Sequence, residues 1–152
     1  MMNMTDIVFK KESFKDTFEE ALPLVCRHYE EIAHFKDIPL EPDTTLYQQL
    51  EDSGLTRVFT VRKNNALIGY SLFFVRPNPH YKSSLQAVQD VIFIDKEHRG
   101  IGRKFISWCD EQLRSESVQV VYHHVKTQHN FGPVLERNGY ELIDLIYGKR
   151  LI

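Results

Sequence analysis

The chain has 152 residues, 42% hydrophobic and 26% charged, with 19 Lys and Arg against 21 Asp and Glu and a formal net charge of −2. That length suits a single domain over residues 1–152 with a substantial core, and the balanced charge offers no basic excess for nucleic acid. No apolar run reaches membrane-spanning length and Met1–Ile7 lack the basic and apolar regions of a signal peptide, so a soluble, unprocessed cytoplasmic protein with no membrane partner is expected.

Asp6 to Lys11 read as a strand. Ser13 followed by Phe14, Phe18, Leu22, Val25, Tyr29 and Ile32 predicts a long capped helix, which Pro23 kinks or splits. Lys36 to Pro42 form a loop, and Asp43 caps a second helix that runs to about Asp52 and stops at Gly54. Arg57–Arg62 and Ala66–Val75 flank Asn64-Asn65, so a hairpin is expected, because Asn tolerates the left-handed backbone of such turns. Pro77–Ser83 reads as a loop, 84–94 as a strand and 101–115 as a helix. Ser117–Lys126 reads as a strand parallel to 84–94, because a helix intervenes. A short helix at about 131–138, a turn at Asn138-Gly139 and a closing strand pair complete the order βααβββαβαββ. The class is α+β: a central mixed sheet in an α/β/α sandwich, with helices on both faces. Cys26 and Cys109 fall on apolar helical stripes, where burial in a reducing compartment is expected rather than a disulfide.

The run from Val88 to Trp108 carries the strongest functional signal. Its strand is apolar on both faces apart from Asp90, and Ile101, Phe105, Cys109 and Leu113 then recur at helical spacing. Between them lie Arg99, Gly100, Ile101, Gly102, Arg103 and Lys104, at a helix start where unpaired N–H groups and the positive end of the dipole attract anions. Glycine there lets a phosphate approach the backbone. The alternative is a tight strand-to-helix turn with no ligand.

At these residues the chain resembles the GNAT superfamily of acyl-CoA-dependent N-acetyltransferases, whose Arg/Gln-x-x-Gly-x-Gly/Ala signature holds the coenzyme A pyrophosphate. Gly100 and Gly102 take the two small positions, while Glu97 stands where the family has Arg or Gln. The segments His28–Ile32, Ile38–Asp43, Tyr122–Lys126, Phe131–Arg137 and Gly148–Leu151 look like GNAT-like proteins of tailed bacteriophages. The resemblance implies a splayed sheet, acetyl-CoA as co-substrate, the backbone of Ile92, Phe93 and Ile94 as partner of the pantetheine arm, and Asn130 as a further contact or an N-cap of the short helix.

Acetylation of an amine needs a proton acceptor, which contributes roughly 10²–10⁴-fold. Asp90 is the candidate, sharing a strand face with Val88 and Ile92; a structural carboxylate bonded to backbone is the other reading. Alignment on Gly139-Tyr140 puts Leu135 where many relatives carry a tyrosine acid, leaving Tyr122 and His124 as substitutes or as core residues. His28, Tyr29, Glu30 and Glu31, with Tyr81 on the opposite wall, would line an acceptor cleft for a cationic amine, or form a solvated face. His123, His124 and His129 lack metal-site spacing, so no metal is expected. Two functions follow: an acetyltransferase acting on an amine of a small molecule or protein, as a monomer or homodimer, and a GNAT-shaped binding protein without efficient chemistry.

Overall fold

The computed structural model describes residues 6–152; Met1–Thr5, part of the segment without a signal-peptide pattern, lie outside them. The elements are β1 (Ile7–Glu12), α1 (Phe14–Ile32), α2 (Thr44–Asp52), β2 (Thr56–Lys63), β3 (Ala66–Asn78), β4 (Tyr81–Ile94), a 3₁₀ segment (Lys96–Ile101), α3 (Gly102–Ser115), β5 (Val120–Tyr122) and α4 (Gly132–Arg137). They build a five-stranded mixed sheet in the order β1-β2-β3-β4-β5, antiparallel except for the parallel β4–β5 pair. Both expected caps form: Ser13 accepts from the Asp16 amide and Asp43 from the Leu46 amide. Asn64 and Asn65 take positive φ of 49° and 69°, as the β2–β3 turn requires.

The sheet separates two cores. On one face Phe59, Phe73, Phe105, Cys109 and Leu113 pack α3 onto β2, β3 and β4. On the other, Ala21 and Leu24 of α1 pack against Tyr70 and Phe93. Phe59, Phe73 and Phe105 are fully buried, and each such side chain contributes roughly 1.5–3 kcal/mol of transfer free energy. At the rim, buried Arg62 pairs with Glu12 and Glu20, tying β1 and α1 to the β2–β3 hairpin.

Four expectations change. Residues 77–83 are not a loop: β3 and β4 continue to an Asn78–Tyr81 pairing around a two-residue turn. Pro77 is tolerated because β2 stops pairing at Thr56–Phe74, so β3 has one open edge there that needs no N–H. The strand expected over 117–126 shrinks to Val120–Tyr122, because the chain then diverges from β4. The closing strand pair is absent, residues 141–152 carrying neither helix nor strand. Cys109 is buried, but Cys26 is exposed. The sheet-facing stripe of α1 is Thr17, Ala21, Leu24 and His28, whereas Phe14 stacks on Tyr47 of α2 and Tyr29 bonds to the following loop. The helix serves two surfaces, and Cys26 lies on neither.

Candidate functional site

The site begins where β4 and β5 part. Ladder pairing ends at Val88–Tyr122, and one step later the Gln89 side chain accepts from the His124 amide at 2.9 Å, bridging the widening gap. Beyond it, among the described residues, β4 has no strand neighbour on this side through Ile94. Its outward backbone groups face an open cleft that an amide-rich ligand arm can pair with. The Ile94 carbonyl is already taken, accepting from Arg99 Nε at 3.1 Å.

At the end of that strand α3 starts from Ile101 with no side-chain cap, leaving first-turn N–H groups without a side-chain acceptor. A Cβ on Gly100 would meet nothing within 4 Å, and on Gly102 only Ile94 Cδ1 at 3.9 Å. Neither glycine has a positive φ, so the fold itself requires glycine at neither position. What the missing side chains provide is open space over first-turn amides that no side chain caps, the Gly102 amide being donated to the Arg99 carbonyl. By contrast Gly69 is structural, since a Cβ there would meet the Phe93 carbonyl at 2.8 Å.

The nearby cationic side chains are mostly committed. Arg99 pairs with Glu31 at 2.6 Å and lies over the Phe93 ring, 5.7 Å from its centroid. Arg103 reaches Asn138 and the Arg137 carbonyl, fastening α3 to the end of α4. Lys104 is exposed. An anion here would be held chiefly by backbone N–H groups.

Asp90 has no register partner in β3, because the pairing jumps from Phe73–Gln89 to Leu72–Val91. This β-bulge reverses the facing of everything after it. Asp90 therefore shares a face with Val88 as expected, but not with Ile92, which packs on the α3-side core while Val91 and Phe93 pack toward α1. The Asp90 carboxylate accepts a 2.6 Å hydrogen bond from Tyr47 of α2. Tyr47 stacks on Phe74 and Phe14, and burial first, then the bond to Asp90, lifts its hydroxyl far above the ordinary phenol range. It stays a donor. Tyr122 pairs in register with Val88 and so lies on the Asp90 face, whereas exposed His124 has left the strand.

Several residues expected in the acceptor cleft have other surroundings. His28 is buried, stacked on Phe93 with Nδ1 3.2 Å from the Tyr70 hydroxyl, and desolvation depresses its pKa to about 4. Tyr29 donates to the Lys36 and Ile38 carbonyls, holding the loop after α1. Glu30 is exposed. Burial would raise the Glu31 pKa, but Arg99 and His129, whose Nδ1 stands 3.0 Å away, together hold it below the usual carboxylate range. Tyr81 does not reach the cleft: it begins β4, nine residues and roughly 30 Å of strand from Asp90. Asn130 Oδ1 accepts from the Gly132 amide, turning the chain into α4. On the far side of the sheet His123 is enclosed by Phe73, Phe131 and Tyr140, and desolvation depresses its pKa to about 4. Among the described residues, no cluster of three His, Cys, Asp or Glu could hold a metal, and no helix is long and apolar enough to cross a membrane.

No protein-family model matches the sequence, and no curated protein resembles it significantly. Solved structures resemble it in shape. An aminoglycoside acetyltransferase from an uncultured soil metagenomic sample superposes with a TM-score of 0.75 at 16% identity, over 98% of this chain and 99% of that one. The ribosomal-protein-alanine N-acetyltransferase of Brucella melitensis biovar Abortus 2308 gives 0.74 at 18%, over 95% and 97%. The chain has the GNAT fold. A predicted acetyltransferase from Clostridium acetobutylicum, solved with acetyl-CoA, matches at 0.70 and 13%, over 95% and 96%. The likeness lies in the backbone path over nearly the whole chain. Sequence reasoning missed Tyr47 and Gln89, which sit in other elements than the residues they bond.

Proposed function

We propose that the protein is an N-acetyltransferase that moves an acetyl group from acetyl-CoA to a primary amine of a small molecule or protein, by direct attack within a ternary complex. The observation that carries this reading is the uncapped start of α3, opened by two glycines the fold does not need, at the end of a strand whose edge is free. Backbone N–H groups of Arg103 and Lys104 suit a pyrophosphate, and the open edge of β4 at Ile92 and Phe93 suits an amide-bearing arm. When bound, acetyl-CoA supplies the thioester carbonyl that the amine attacks. Asp90 accepts the proton of the ammonium, directly or through water, with Tyr47 fixing the carboxylate. Tyr122, on the same sheet face, is the candidate donor toward the departing thiolate.

Asp90→Asn keeps an oxygen that can accept from Tyr47 but removes the basicity. The variant should fold and bind CoA as before, with kcat/KM lowered about 100-fold. Unchanged turnover would make Asp90 a structural carboxylate.

A second reading, a CoA-binding or interaction protein of phage origin with weak or no chemistry, is favoured by Leu135 at the position of the usual tyrosine acid and by the Asp90 carboxylate already bonded in place. The first reading and the CoA-binding form of the second both require CoA binding. Only the first requires thiol release that depends on an added amine.

A further inference from the structure

The last twelve residues, Glu141 to Ile152, have the composition of a strand and the surroundings of a solvated tail. Leu142, Ile143, Leu145, Ile146, Tyr147 and Leu151 are each at least 59% exposed. Among the described residues no backbone hydrogen bond joins this segment to the rest of the chain. Its tie is an ion pair between Arg150 and Asp37, with side chains 47% and 64% exposed. Exposed pairs of that kind hold a segment weakly. So much contiguous apolar surface is unusual on a soluble protein and marks an interaction surface.

The same chain carries what this segment lacks. β5 is the last strand of the sheet, three residues long and, among the described residues, paired only with β4, so its other edge presents free N–H and C=O groups. A groove of about 390 Å³ runs beside that edge, lined by Val118–Val121, by Asp110 and Arg114 of α3, and by Asn138–Glu141. The tail contributes only Ile143 beyond that point. In an added strand Ile143, Leu145 and Tyr147 would share one face and Leu142 and Ile146 the other.

We propose that Glu141–Ile152 is an exchange arm: it docks as an extra strand on the free β5 edge of a second copy, whose own arm docks in return. A second copy is the occupant because each chain has both an unfilled edge and an unpaired apolar arm, and a two-fold exchange satisfies the two at once. An unrelated peptide on the groove would leave the arm in water.

Sedimentation of the full chain across the micromolar range should give twice the 17.9 kDa chain mass. Leu145→Lys combined with Tyr147→Lys alters side chains exposed in the isolated subunit, so circular dichroism should be unchanged while the mass falls to one chain. Arm amides should be protected from hydrogen exchange in the wild type and lose protection in the variant. A wild type of single-chain mass at every concentration would overturn the proposal. So would a double variant that remains dimeric, or arm protection in a monomer, which would mean pairing within one chain.

Discussion

Gly102→Ala should raise stability and weaken CoA binding together. Gly102 has φ −54° and ψ −44°, ordinary helical values, and a Cβ there would touch only Ile94 Cδ1 at 3.9 Å. Alanine in place of glycine in helical backbone is worth about 0.5–1 kcal/mol, a rise in Tm of roughly 1–4 °C for a chain of this size. The added methyl occupies the space over the first-turn amides. A ligand pyrophosphate would have to retreat from those donors, and a tenfold loss in affinity corresponds to about 1.4 kcal/mol. Gly102→Val should lose more without unfolding. Thermal melts without ligand and calorimetric titration with CoA measure the two effects separately. Wild-type CoA affinity in the valine variant would refute the placement of the anion, and a lower Tm in the alanine variant would show that glycine there serves the fold.

Tyr47→Phe keeps the stack on Phe74 but removes the hydrogen bond to Asp90, and should cost about 1.5–3 kcal/mol in urea unfolding; an unchanged midpoint would mean that water replaces the hydroxyl without loss. Glu31→Gln should release Arg99 and His129, loosening the contact of α1 with the turn before α3, so thermal stability should fall and CoA affinity change with it; equal kinetics and Tm would place the cluster outside the working site. His28 and His123 both have pKa values depressed to about 4 by burial, so the folded state excludes their protons until well below the unfolded value of about 6.5. Their contribution is complete above pH 6.5 and is lost as pH falls toward 4, roughly 3 kcal/mol for each at full shift. Denaturant midpoints that stay flat between pH 6.5 and 4.5 would show that both rings are hydrated.

The elements with a regular apolar period were legible in the sequence. Phe105, Cys109 and Leu113 mark α3 because one stripe packs on one sheet, whereas α1 serves both the sheet and α2, so its long stripe gave a phase that left Cys26 misplaced. The glycine turn was legible because its residues are adjacent. The bulge at Asp90 was not, since an extra residue leaves no trace in a run that is apolar on both faces. Nor was Tyr47, which meets Asp90 across 43 positions through tertiary packing alone. Pro77 and Pro79 suggested a loop, because a sequence does not reveal that, among the described residues, the β3 edge has no backbone partner beyond the Val75 amide bonded to the Leu55 carbonyl. The apolar pattern after Glu141 suggested a closing strand pair, but residues 141–152 form neither helix nor strand, because backbone pairing with a neighbouring edge, not apolar period, makes a strand.

The most direct measurement is release of free thiol from acetyl-CoA by the wild-type protein against a panel of primary amines, with mass spectrometry of each amine. An acetyltransferase will release thiol only when a suitable amine is present, and that amine will gain one acetyl group. Tight CoA binding with no amine-dependent thiol release across the panel would contradict catalysis and leave a binding protein; absence of CoA binding would remove the function altogether.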